Sequence, residues 1–188
     1  PLWGSSGIAI SGTGAIFGID AAEDGSGGIL VSWVLKPTLT NPIVQTQRIA
    51  SSGTPLWTAG GVLLKQCPLQ PMVCKIASDG AGGALVCWND NQNLVSPGGF
   101  ESECFGQHVD ATGTPTWSAG GLAVSTTDDL YYGWAMASDG AGGLMLSWSR
   151  SNLVYIQRMT SGGTPAWGGG GQTITTSGFG QVVPSMIP

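Results

Sequence analysis

One histidine, four cysteines and three recurring aspartates are the residues whose types could carry chemistry in this chain. His108 is the single histidine, and it holds the place that Arg48 and Arg158 take in two matching segments. It therefore reads as an outward strand residue, and without it no Ser-His-Asp set can be assembled, because a nucleophile needs a base within hydrogen-bond reach. Asp24, Asp79 and Asp139 each precede a glycine. A carboxylate there accepts bonds from nearby backbone N–H groups and forms a turn. A calcium ion would need about six to eight oxygens, more than single carboxylates supply. The cysteines, at 67, 74, 87 and 104, have no C-x₂-C spacing, so with one histidine no zinc site is expected. Residues 168–171 are four glycines without the lysine and helix of a phosphate loop. Catalytic, metal and cofactor sites are thus all expected to be absent.

Ligand contact has two other candidates. Asp128 and Asp129 beside Tyr131 and Tyr132, with Trp134 close by, form an acidic and aromatic cluster suited to a sugar. Glu101 and Glu103 lie in an insertion, residues 89–103, that interrupts the pattern described next. Insertions on a rigid scaffold are where specificity tends to sit.

These residues hang on a repeat. Ala22-Glu23-Asp24-Gly25-Ser26-Gly27-Gly28 leads to Trp33, and the same form returns at 77–83 before Trp88 and at 137–143 before Trp148. A second motif follows each time: Gln47-Arg48-Ile49, Gln107-His108-Val109 and Gln157-Arg158-Met159. Ten residues after each glutamine stands a tryptophan in Gly-Thr-Pro-x-Trp: Trp57, Trp117 and Trp167. The Asp-Gly motifs are 55 and 60 residues apart, a jitter that fits variable loops between fixed strands. Pro1-Leu2-Trp3 repeats Pro55-Leu56-Trp57, and residues 181–188 resemble the run entering a further Asp-Gly turn. The expected units are therefore 1–16 (end of a preceding unit), 17–66, 67–127, 128–177 and 178–188 (start of a following one).

Each unit reads as four short strands, exemplified by 73–77, 84–88, 104–109 and 122–125. Asp-Gly and Gly-Gly supply the positive φ of a tight reversal after the first. The second is nearly all apolar, as in a strand covered on both faces. No capped 3.6-residue apolar period occurs, so little or no helix is predicted. Fifty to sixty residues in four antiparallel strands is about the size of a propeller blade. Such a sheet cannot bury both faces alone and must stack on neighbours, with Trp33, Trp57, Trp88, Trp117, Trp148 and Trp167 as packing wedges. A β-solenoid has shorter rungs, and a two-sheet sandwich leaves the repeat unexplained. The fold class is all-β: about three complete blades plus partial end blades, too few to close a ring.

The pattern A-x-D-G-x-G-G-x₄-W, then Q-R/H, then G-T-P-x-W-x-x-G-G resembles bacterial repeats of large secreted or surface proteins, held to form β-propellers. It covers residues 22–61, 77–121 and 137–170. The sialidase Asp-box is only a distant look-alike, because its tryptophan follows the aspartate sooner, and sialidase chemistry does not carry over. The resemblance implies an extracellular or surface location.

Aligning the units gives a disulfide expectation. If the last unit turns at Arg150-Ser151, Ser147 faces Val154, which makes their counterparts Cys87 and Cys104 cross-strand neighbours able to bridge. Cys67 and Cys74 would close the link between units. Two disulfides would themselves point outside the cytoplasm.

Composition narrows the partners. With 9% charged residues, a net charge of −5 and six Lys+Arg, the chain has no basic patch for nucleic acid. No apolar run is long enough for a membrane-spanning helix. The expected partners are further repeats of a longer parent chain or other copies of this one, joined at the open ends, and a filament is one outcome. The expected function is a non-enzymatic structural or interaction module. The alternatives are a glycan- or protein-binding propeller of lectin or adhesin type, and a fragment of a glycosidase-type propeller, for which paired carboxylates around a pocket are missing.

Overall fold

Glycine-punctuated turns and apolar runs of five to eight residues leave the chain one economical arrangement, and the computed structural model adopts it. It describes residues 3–37, 42–67, 73–90, 103–125, 134–150 and 153–175. Three four-stranded antiparallel sheets follow one another, with no helix among the described residues. Sheet 1 contains β1 (Ala15–Glu23), β2 (Ile29–Lys36), β3 (Ile43–Ile49) and β4 (Val62–Gln66). Sheet 2 contains β5 (Cys74–Ser78), β6 (Ala84–Asp90), β7 (Glu103–Val109) and β8 (Leu122–Ser125). Sheet 3 contains β9 (Trp134–Ser138), β10 (Leu144–Arg150), β11 (Leu153–Met159) and β12 (Gln172–Thr173). In every sheet each strand pairs with the next in sequence, the simplest meander.

The sheets stack face to face. Side chains of a strand alternate between its two faces. Leu30 and Val34 on one face of β2 join Ala84, Val86 and Trp88 of β6 in a single core. The opposite face of β6, through Leu85 and Cys87, joins Leu144, Leu146 and Trp148 of β10 in the next. β6 is thus covered on both sides, which is why its run from Ala84 to Trp88 is apolar. The first strands also run as neighbours, β5 beside β1 and β9 beside β5. Asp20 of β1 accepts the backbone N–H of Ile76 in β5 at 3.0 Å.

The disulfide expectation fails. All four cysteines are free and buried. The β10–β11 hairpin pairs Arg150 with Leu153, one residue later than the alignment assumed, so Ser149 rather than Ser147 faces Val154. The same register holds in sheet 2, where Cys87 faces Gly106 and Cys104 faces Asn89. The two cysteines are therefore diagonal neighbours, about 7–8 Å apart at Cα, beyond the usual disulfide span. Cys74 directs its Sγ–H to the carbonyl of Gly18 at 2.5 Å and accepts from Ser32 Oγ at 3.4 Å, so its sulfur serves β1 and β2 rather than Cys67.

Candidate functional site

Each unit carries the same polar cluster, built around the Asp-Gly turn. Asp24 Oδ1 accepts the N–H groups of Ser26 and Gly28 at 2.8 and 2.7 Å. Asp79 does so with Ala81 and Gly83, and Asp139 with Ala141 and Gly143. The second carboxylate oxygen faces the residue after the repeated glutamine. Arg48 Nε meets Asp24 at 2.9 Å, His108 Nε2 meets Asp79 at 2.9 Å, and Arg158 meets Asp139 at 2.8 Å. A turn on one side of the sheet is thereby tied to its third strand. The side chain of His108 also bonds Thr116 Oγ1 at 2.8 Å. It is held on both ring nitrogens rather than free on an outward face, which corrects the sequence reading. The co-recurrence of Asp with Arg or His was the signal for this pair.

Proton affinities follow from these contacts. The Ser26 hydroxyl chiefly, with backbone N–H groups and Arg48, holds Asp24 well below the ordinary carboxylate range against its burial. Burial would raise Asp79, but the His108 bond and two backbone N–H groups outweigh it and leave it lowered. Asp139 is lowered in the same way by Ala141, Gly143 and Arg158, also against burial. All three carboxylates are saturated with donors, an arrangement that stabilises the anion and leaves little basicity for proton abstraction.

The repeated glutamines are the residues sequence reasoning marked without giving them a role. Gln107 is buried, and its Nε2 donates to the carbonyl of Ser118 at 3.0 Å. Its Oε1 accepts the N–H of Trp117 at 2.9 Å and of His108 at 3.0 Å. Gln47 repeats this with Thr58, Trp57 and Arg48, and Gln157 with Gly168, Trp167 and Arg158. One amide therefore pins the loop after Gly-Thr-Pro-x-Trp to the third strand in all three sheets.

The tryptophans divide into two classes. Trp33, Trp88 and Trp148 are fully buried within their sheets, and their indole Nε1 has no hydrogen-bond partner. An unpaired buried donor costs about 1–3 kcal/mol, whereas burying an indole contributes about 4–6 kcal/mol at 25 cal/mol per Å², so packing wins. Their rings demand glycine beside them: a Cβ on Gly61, Gly121 or Gly171 would lie 2.6–2.7 Å from the ring edge. The other class reaches between sheets. Trp57 Nε1 donates to the carbonyl of Ala111 in the turn after β7 at 3.2 Å, and Trp117 Nε1 to Ser161 in the turn after β11 at 2.9 Å. Trp3 Nε1 donates to the equivalent Ser51 in sheet 1 at 2.8 Å. The receiving turn needs glycine too, since a Cβ on Gly113 would meet Trp57 at 2.7 Å.

A cavity of about 460 Å³ opens where the first strands of the three sheets come together. Ala22 and Glu23, Ala77 and Ser78, and Ala137 and Ser138 line it in equivalent pairs. Ser78 and Ser138 accept the N–H of Gly80 and Gly140 at 3.2 Å, and Glu23 is the one carboxylate among the described lining residues. This convergence was not legible in the sequence, because no local pattern says that equivalent strand ends meet.

Of the proposed contact residues, Asp128, Asp129, Tyr131, Tyr132 and Glu101 lie outside the described residues. Glu103 opens β7 opposite Asp90. Trp134, counted with the tyrosines as a sugar platform, is instead buried in the core between sheets 2 and 3. The thiols are equally removed from chemistry. Burial pushes Cys67 up to about 12 and Cys74 up to about 11, and burial together with Cys87 raises Cys104. Such thiols stay protonated and unreactive at neutral pH. No group of His, Cys, Asp and Glu among the described residues could hold a metal ion. Comparison with protein-family models, with curated proteins and with solved structures finds no match to this chain.

Proposed function

We propose that this chain is a non-enzymatic structural and interaction module in which propeller-like blades are the working parts. The observation that carries this is the recurring inter-sheet joint, in which the Trp of one unit donates to the turn of the next at Ser51, Ala111 and Ser161. The recurring polar residues, Asp, Gln and Arg or His, are engaged in hydrogen bonds that tie turns and loops to the third strand of their own unit, and Arg48 also reaches the next unit at Gly82. The convergence of β1, β5 and β9 supports sheets radiating from a common line, as blades do. With the cysteines free, an extracellular or surface location rests on the resemblance of the repeat alone.

Two measurements test the reading. Small-angle scattering of the full chain is expected to fit a curved arc of sheets, and a straight stack would exclude the propeller. A panel of glycoside and ester substrates is expected to show no turnover, and turnover abolished by Glu23→Gln would overturn the non-enzymatic assignment. The cavity at Glu23 favours one second reading, a propeller that takes a small ligand at its axis. A glycan array, with Glu23→Gln as control, tests that reading.

A further inference from the structure

Residues 3–10 belong to no sheet, yet they lie on sheet 1 as a fourth strand lies on the sheet that follows it. Trp3 Nε1 donates to Ser51 as Trp57 does to Ala111 and Trp117 to Ser161. Counted from each tryptophan, Ile8 takes the place of Val62 and Leu122, and Ile10 that of Leu64 and Val124. A Cβ on Gly53 would run into Trp3 and Ile8, just as one on Gly163 would run into Trp117 and Leu122. Ile10 packs against Val31, Trp33 and Leu35. The segment thus makes the contacts of a fourth strand toward the next unit, but none toward strands of its own.

Two places that are filled in all three sheets are open along it. Gln47 donates to the carbonyl of Thr58 and accepts the N–H of Trp57, and Gln107 and Gln157 do the same in their units. The corresponding carbonyl of Gly4 and N–H of Trp3 have no partner among the described residues. Gly61, Gly121 and Gly171, each four residues after a Gly-Thr-Pro-x-Trp tryptophan, lie against the rings of Trp33, Trp88 and Trp148. Gly7 stands at that place with φ +73°, in the same left-handed region, and a Cβ on it would meet nothing within 4 Å. Ile8 is accordingly 38% exposed, against 7% for Val62.

The chain has no tryptophan left to lie on Gly7, because all eight are among the described residues. Trp33, Trp88 and Trp148 rest on their own glycines. Trp3, Trp57 and Trp117 are the inter-sheet donors, Trp134 is in the core between sheets 2 and 3, and Trp167 is held by Gln157 within sheet 3. The ring must come from elsewhere.

We propose that residues 3–10 are a docking strand for the first three strands of a further repeat of this pattern. The tryptophan of its second strand would lie on Gly7, and the glutamine of its third would bond Trp3 and Gly4. A second copy of this chain does not fit, because each of its three sheets already pairs with a fourth strand of its own. The source is a stretch running into Pro1. In each unit five residues separate the end of the third strand from the proline it bridges, Ile49 with Pro55, Val109 with Pro115 and Met159 with Pro165, and Pro1 holds that place ahead of Trp3. The inference rests on reading the chain as an interaction module of repeats but not on its being non-enzymatic.

The test places a copy of residues 15–54 directly ahead of Pro1 in the full chain and follows amide hydrogen exchange. The added strands have no fourth strand except residues 3–10. Amides of residues 4–10 are expected to exchange at least about tenfold more slowly than in the unextended chain, as local opening becomes costlier. Trp33→Ala or Gln47→Leu, made in the added copy alone, should each reverse most of that protection while exchange in β5, β6 and β7 stays unchanged. Equal exchange in the extended and unextended chains, or protection that survives both substitutions, would overturn the proposal. So would concentration-dependent dimers of the unextended chain that Gly7→Leu abolishes, since the occupant would then be a second copy. Turnover or glycan binding would sink the functional reading and leave these outcomes unaffected.

Discussion

Replacing Gln107 by leucine removes one side chain of similar size and, with it, three hydrogen bonds. The amide donates to Ser118 and accepts from Trp117 and His108 at 2.9–3.0 Å. The Trp117 N–H is buried and would be orphaned at about 1–3 kcal/mol, and the other two bonds contribute about 0.5–1.5 kcal/mol each. Leucine returns some apolar burial, so the expected loss is about 3 kcal/mol, a large share of the roughly 5–15 kcal/mol that holds a domain folded. Gln157→Leu breaks the equivalent bonds, but Trp167 is half-buried and water reaches its N–H and the exposed Gly168, so about 1–2 kcal/mol is expected. Urea unfolding followed by tryptophan fluorescence measures both, with the m-value unchanged if only stability moves. A loss under about 1 kcal/mol for Gln107→Leu would refute the argument that this amide is the pin between loop and strand. So would an equal loss at the two positions.

Three further outcomes are expected. His108→Arg should keep the Asp79 pair and reach the carbonyl of Gly142 as Arg48 reaches Gly82, raising the melting temperature by a few degrees in a thermal scan. Asp24, Asp79 and Asp139 have lowered folded pKa values, so their contribution is fully present above the unfolded carboxylate value near 4 and is lost as pH falls below it. Melting temperature should therefore be flat from about pH 7 to 5 and drop on further acidification, and Asp79→Asn should flatten part of that drop. Iodoacetamide at pH 7.5 should leave all four cysteines unmodified in the folded chain and label all four in urea, as mass spectrometry would show; rapid native labelling would contradict their burial.

The misplaced cysteine pair shows where sequence reasoning stopped. Hairpin existence was legible from apolar runs flanking a short polar break, but its register turned on which two residues form the reversal. The structure pairs Arg150 with Leu153. A shift of one residue at the turn moved every cross-strand partner, and Cys104 came to face Asn89 instead of Cys87. Trp134 was misread for a related reason. Beside two tyrosines it resembles a binding platform, yet it pairs with Trp148 at the start of β9 and is buried there.

What the sequence determined alone was everything governed by neighbours along the chain. It marked the three repeated units, the Asp-Gly reversals, the glycines at positive φ and the apolar second strands, because turn geometry and side-chain alternation act over a few residues. The tertiary structure decided which faces meet. It brought Trp57 to Ala111 and Arg48 to Gly82, gathered three equivalent strand ends around one cavity, and paired each turn aspartate with a basic residue or histidine about 20–30 positions away. Those contacts join groups remote in sequence, and their free energy exists only once whole sheets have folded and stacked.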